Sequence, residues 1–257
     1  VAAQSIVAGS VSVSSLDRTA VDNNAGAIAA GGLAGVSAGV AVSLLGGANH
    51  AGVSVGDMAV AGDVNIESGV RTPGSGKPAI ESRAIAGAGG FVGVGAAVSV
   101  ASNTTANTAV LAGQLSAGGA VSVKALDEAS LLSEAVGSTA GVLSVGLVTA
   151  TASQTGAVGT TLSGIHNGQG FSASAERNAS ASAQATGGSA GVYAGSGAGA
   201  SASDSGTVSL TLASGTVIDA GAGDLVLSAK ANPSASTNAT GVSVGRTAGL
   251  GVSVAQS

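Results

Sequence analysis

The residues whose types and spacing could do chemistry are few. GVSAG, at residues 35–39, fits the G-x-S-x-G pattern that exposes a serine nucleophile at a strand-to-helix elbow. Such a serine needs a histidine as base and a carboxylate to orient it, and the chain has two histidines, His50 and His166. No amphipathic helix pattern surrounds the motif, and in a chain with 44 glycines a chance match is expected. No catalytic residue is assigned. Asp57, Asp63, Asp219 and Asp224 fall in turn-like sequence, and an aligned ladder of turn carboxylates is an arrangement that binds Ca²⁺. The specific signal would be a repeated GGxGxD. GAGD (221–224) is a fragment of it, and Ala120 and Gly170 hold the equivalent positions elsewhere. Solvated turn residues are the expectation, with no metal site and no cofactor.

Other candidates have plainer readings. His50 and His166 lie at roughly corresponding places without consistent partners, which predicts surface turns. Phe91 and Tyr193 also correspond, with Leu33 and Leu143 near the same place, which predicts core filling or a corner rather than a carbohydrate platform. Asn103, Asn178 and Asn238 begin N-x-S/T triplets and read as turn residues. VTATAS (148–153) is the only hint of the threonine ladder that an ice-binding surface would show.

Composition narrows the class of scaffold. The 257 residues include two Phe, one Tyr and no Trp, so the aromatic payload of an ordinary globular core is missing. Yet 45% of residues are hydrophobic and only 8% charged, which is not the balance of a disordered chain. The net charge of −5, with no basic cluster, excludes a nucleic-acid footprint. Residues 25–47 and 84–123 carry no charge, but they are rich in Gly and Ser, which argues against a transmembrane helix. Three aromatics cannot furnish the girdles of a transmembrane barrel.

What positions the candidates is a repeat. A glycine opening a small-residue run recurs at Gly39, Gly95, Gly146, Gly197 and Gly249, at intervals of 56, 51, 51 and 52. The apolar residue opening a second strand recurs at Val11, Val64, Val121, Phe171 and Leu225, at intervals of 53, 57, 50 and 54. Both give a unit of roughly 50 residues. The long intervals point to an insertion, and RTPGSGKP (71–78), with two of the three prolines, is predicted to be a loop pushed out of the repeat. The partial unit 1–24 is followed by units 25–83, 84–134, 135–184 and 185–238 and by the partial unit 239–257. Opening with a second half and closing with a first half, the sequence reads as cut from, or built to continue, an array.

Within each unit Val, Leu and Ile alternate with Ser, Thr and Asn, as in SVSVS and TVSLTL, the period-two signature of half-buried strands. A unit of this size buries its strands only by stacking on its neighbours. The expected fold is therefore all-β: a right-handed parallel β-solenoid, continuous over 1–257, with two turns of about 25 residues per repeat, since one turn of 50 would trace roughly 165 Å of extended chain. An array of β-sandwiches is the alternative, but the Gly-rich halves lack its large core residues.

The stretch GVGAAVSVASNTTANTAVLAGQLSAGGAVSVKA, at residues 93–125, resembles repeats of very large secreted bacterial adhesins of the filamentous-haemagglutinin and autotransporter-passenger type. That resemblance implies a β-helical shaft exported to the cell surface, with attachment or aggregation as its work. The expected function is a non-catalytic structural segment of an extracellular fibre or adhesin. Its expected partners are further copies stacked head to tail, or the rest of a longer covalent array, and the surface of a host or neighbouring cell. A β-helical module that binds glycan or ice is the alternative. A polysaccharide-degrading β-helix is the other, but it would need clustered Asp, Arg or Lys, and the eight basic residues here are scattered.

Overall fold

A computed structural model describes residues 2–74 and 77–257. About four-fifths of the chain is β-strand, and the described residues contain no helix. After β1 (Ala2–Ala8), the first turn runs through β2 (Val11–Asp17), β3 (Val21–Ala30), β4 (Ala34–Leu45) and β5 (Ala48–Val60). The second comprises β6 (Val64–Val70), β7 (Ile80–Gly89), β8 (Val92–Asn103) and β9 (Ala106–Ala117). The third comprises β10 (Val121–Asp127), β11 (Ser130–Gln154) and β12 (Ala157–Asn167). The fourth comprises β13 (Phe171–Arg177), β14 (Ser180–Asp204), β15 (Thr207–Leu212) and β16 (Val217–Asp219), and a fifth opens with β17 (Leu225–Ala231) and β18 (Ser234–Gln256).

Every pairing between turns is parallel, and the strands stack into three sheets: a parallel β-solenoid. One sheet holds β1, β5, β9, β12 and β15, with β16 also on β12. A second holds β2, β6, β10, β13 and β17. The third holds β3, β7 and the first half of β11, β14 and β18, and continues around a corner through β4, β8 and the second halves of the same long strands.

The number of turns per repeat differs from the expectation. Val11 pairs with Val64, Val64 with Val121, Val121 with Phe171 and Phe171 with Leu225. Each repeat is thus one turn, not two. The long circumference does not open into a wide coil because the third sheet doubles back on itself. β3 runs out, turns near Gly31–Gly32 and returns as β4, with Cα atoms of the two layers within 8 Å. Ordinary stacked sheets lie about 10 Å apart. Alanine, glycine and serine allow the closer approach: a Cβ on Gly137 would stand 2.7 Å from Cγ2 of Val148 across the gap.

Two cores result, one in each lobe of the flattened coil. Between the layers of the third sheet the buried side chains are mostly alanines, among them Ala84, Ala97, Ala135, Ala150 and Ala183. Between the first and second sheets they are larger: Val53, Met58, Ile66, Leu111, Leu115, Val121, Leu162 and Phe171. Alternation along each strand sends these residues inward and Ser, Thr, Asn or Gly outward. In the larger lobe the first sheet carries a register shift at Val55/Asp57, opposite Gly113 with φ +103° and, one turn on, Gly164 with φ +108°. A side chain at Gly113 would collide with the Val55 carbonyl, so this bend needs glycine.

The insertion lies where expected. Val70 pairs with Asp127 and Ile80 with Leu131, so the second turn spends six more residues between sheets than the third. Its described residues, 71–74 and 77–78, are outside strands, with Gly74 and Lys77 exposed. Arg71 is tied to the wall by an ion pair with Glu67, and the Thr72 hydroxyl donates to the Glu128 carbonyl. Ser75 and Gly76 lie outside the described residues.

Candidate functional site

The structure disperses the sequence candidates. The GVSAG motif is extended strand at the start of β4, and Ser37 points between the layers, buried, rather than outward from an elbow. His50 pairs with Thr108, and Thr108 in turn lies beside Gly159, whereas His166 pairs with Leu115. The two histidines therefore occupy different places in the turn, and both lie in strands rather than turns. His166 is fully buried, its ring stacked on Phe171 at 6.0 Å between centroids. Burial pushes its pKa down, opposed by the Ser163 backbone.

The aspartates do not form a ladder. Asp63 and Asp224 belong to one row, but Ala120 and Gly170 stand between them. Oδ1 of Asp63 accepts the Ala120 N–H at 2.9 Å, and Oδ1 of Asp219 accepts the Gly221 N–H at 2.9 Å. Asp57 lies on the outer wall beside Ser5, Gln114 and Asn167. Among the described residues, no three His, Asp or Glu side chains converge as a metal site would require.

Asn103 is buried, with its Oδ1 accepting the Thr105 N–H, while Asn178 accepts from Asn232 in the next turn. Thr149 is flanked by Val98 and Gly199, so VTATAS has no matched threonines beside it. Leu33 lies beside Phe91 and Leu143 beside Tyr193, all at the corner where the third sheet doubles back, although Leu143 itself is in register with Val92. They are corner residues, as one of the two readings had it, but about half or more of each is exposed, so they do not fill a core.

Sequence inspection missed the strongest cluster of charge. Where the two lobes meet, Asp127 ends β10 and Arg177 ends β13, one turn above it in the same row. Gln154 ends β11 and Asp204 lies above it at the end of β14. All four side chains face inward. Nε of Arg177 lies 3.6 Å from Oδ2 of Asp127, and its Nη2 is paired with Oδ1 of Asp204. Nε2 of Gln154 donates to Oδ2 of Asp127 at 3.1 Å, and the Ala129 N–H donates to Oδ1 at 3.1 Å. Burial pushes the Asp127 carboxyl above its usual range, against the opposing pull of the Ala129 N–H, Arg177 and Gln154.

A guanidinium between two carboxylates resembles acid–base machinery in kind, but Arg177 is 1% exposed and Asp127 0%. No substrate atom reaches them, and what the arrangement does is fasten the third turn to the fourth. The sequence did carry a signal for it. Phe171, Ala173 and Ala175 share one face of their strand, and the same alternation places Arg177 on that face. Charge at a position of core parity was the clue.

At the surface, Arg83 pairs with Glu81 at 3.1 Å and with Glu134 at 2.7 Å, and Lys124 with Glu176 at 2.9 Å. No helix among the described residues is long and apolar enough to cross a membrane. No family model matches the chain, and neither a curated protein nor a solved structure does.

Proposed function

We propose that this chain is a non-catalytic shaft segment of an extracellular bacterial fibre or adhesin, supplying stiff length for attachment, aggregation or sheath formation. The observation that carries this reading is the stacking itself. Successive turns repeat the same three sheets in one direction, so such a body gains length by adding turns while its cross-section stays fixed. At one end β1 to β4 each pair on one side only, and at the other end β15 to β18 do the same. Rows of unpaired backbone groups are templates for further strands. Stacking one copy on the next, or continuing the chain in a longer array, covers both rows and propagates a filament. The adhesin-like repeat sequence supports a place at the cell surface.

Labelling intact cells with an antibody to this chain, then weighing denatured fibre by mass spectrometry, tests the proposal. Surface fibres carrying the label are expected. A subunit near 23.3 kDa identifies a head-to-tail polymer, and a far heavier one a covalent array. A soluble, stable monomer with both end rows uncovered refutes the shaft.

A further inference from the structure

The outer face of the returning layer, formed by β4, β8 and the second halves of β11, β14 and β18, has no counterpart among the described residues. Its outward positions carry no charged side chain in any of the five turns. In the first turn Val36, Val40 and Leu44 are exposed, and in the third Leu143, Val145 and Leu147. The outer face of the outgoing layer bears Asp22, Glu81, Arg83 and Glu134 instead. Scattered exposed apolar residues need no explanation, but a continuous uncharged face of this extent marks an interaction surface.

The relief of the face says what fits it. In the third turn Leu143, Val145 and Leu147 stand up as a ridge, each more than 45% exposed. In the fourth turn the residues beside Val145, Leu147 and Thr149 are Gly195, Gly197 and Gly199. In the fifth turn Leu250, Val252 and Val254 rise again. The fourth turn is therefore a trough between two apolar walls, open at Gly195, where a Cβ would meet nothing within 4 Å, and narrowed at Gly197, where a Cβ would stand 3.3 Å from Cδ1 of Leu147. Ridge and trough are adjacent and parallel on a single face, offset by two residues, so that Leu143 lies beside Tyr193 while Val145 and Leu147 lie beside glycines.

We infer that this face binds a second copy of the chain, face to face, about a two-fold axis that lies in the plane of contact, parallel to the strands, between the third and fourth turns. The axis lays Val145 and Leu147 of each copy over Gly195 and Gly197 of the other, with Leu143 against Tyr193 at the end of the contact, an isologous arrangement. Four of the five strands overlap. With twelve residues at about 3.3 Å and four strands at about 4.8 Å, each copy covers on the order of 750 Å². A standard stable interface uses about 800 Å² per partner. The contact is lateral, uses neither open end, and does not depend on where the chain resides, so it goes beyond the shaft proposal.

Filling the trough tests this. The 257-residue chain and its Gly195→Val/Gly199→Val variant are compared by sedimentation velocity, with circular dichroism to confirm the β-fold. The wild type is expected to form a dimer at micromolar concentration, and the filled variant to bind about ten- to hundredfold more weakly, because overpacking a fitted contact costs that much. The variant is the more apolar of the two, so a merely sticky face, or one made for lipid, would associate as tightly or more tightly, and that result overturns the inference. Leu147→Glu, which places a charge on the exposed ridge, is the second variant. It should abolish the dimer even if the filled variant does not fold, whereas a dimer that survives it is stacked end to end, and the inference falls. A wild type that stays monomeric overturns it as well, and the shaft reading with it, whereas the end-to-end dimer that survives Leu147→Glu overturns the lateral contact alone and leaves the shaft reading standing.

Discussion

Arg177→Met removes the one cation from the junction between lobes while keeping much of its volume. In the wild type the guanidinium lies between Asp127 and Asp204, and all three are essentially out of water. At an effective dielectric constant of about 20, the 3.6 Å pair with Asp127 is worth about 4–5 kcal/mol of gross attraction. Desolvation offsets most of that in the intact cluster, but deleting one partner leaves buried carboxylates uncompensated, at a cost of about 3–5 kcal/mol. Against a total stability of about 5–15 kcal/mol for an ordinary domain, that is a large fraction. Guanidinium unfolding at several pH values measures it. Burial holds the folded-state pKa of Asp127 above its ordinary value of 3.8, so the folded chain binds that proton more tightly than the unfolded one. Stability from this group rises as pH falls through the raised value, and the gain stops below 3.8. Arg177 pulls that pKa down, so without it the variant gains more on acidification than the wild type. Its deficit should shrink between about pH 7 and about pH 4. A deficit under about 1 kcal/mol at neutral pH, or one that does not change on acidification, refutes a buried, charge-compensating role.

Four further outcomes follow from the same geometry. Arg83→Ala removes ion pairs that face water and should cost less than about 1 kcal/mol in the same unfolding assay, a sharp contrast with Arg177. Gly113→Ala forces a side chain onto a backbone with φ +103° and into the Val55 carbonyl; a loss of at least about 1–3 kcal/mol is expected, read as a lowered melting temperature. His166 is held neutral by burial, so its contribution is complete above the ordinary histidine value of 6.5 and is lost as pH falls through its lowered pKa; His166→Leu should flatten the unfolding midpoint below pH 6.5. Limited proteolysis with a protease of broad specificity should cut first within residues 71–78, and a first cut inside β6 or β7 would show that the insertion is misassigned.

The sequence by itself determined the class of fold, the repeat and the site of the insertion. The anchor series Val11, Val64, Val121, Phe171 and Leu225 is in register through all five turns. Those strands carry bulky inward residues at alternate positions, and a slip of one residue would turn each of them out to solvent. The glycine series fared differently. Gly95 does pair with Gly146, but Gly39 pairs with Ala97 and Gly197 with Val252. In a tract where most inward residues are Ala, Gly or Ser, neighbouring registers look alike, and the small side chains specify none of them.

Tertiary structure alone decided the rest. One turn per repeat depends on the third sheet doubling back, and that depends on two layers approaching until alanines meet, a contact between residues tens of positions apart. The same doubling turned the uncharged tracts into one buried and one exposed face, which hydropathy cannot distinguish. The packing of the first sheet on the second set His166 inside and His50 outside, and the meeting of the two lobes carried Asp127, Arg177, Gln154 and Asp204 from four strand ends to a single point. Alternation along each strand fixes which side a residue faces, but only the path of the coil fixes what it meets there.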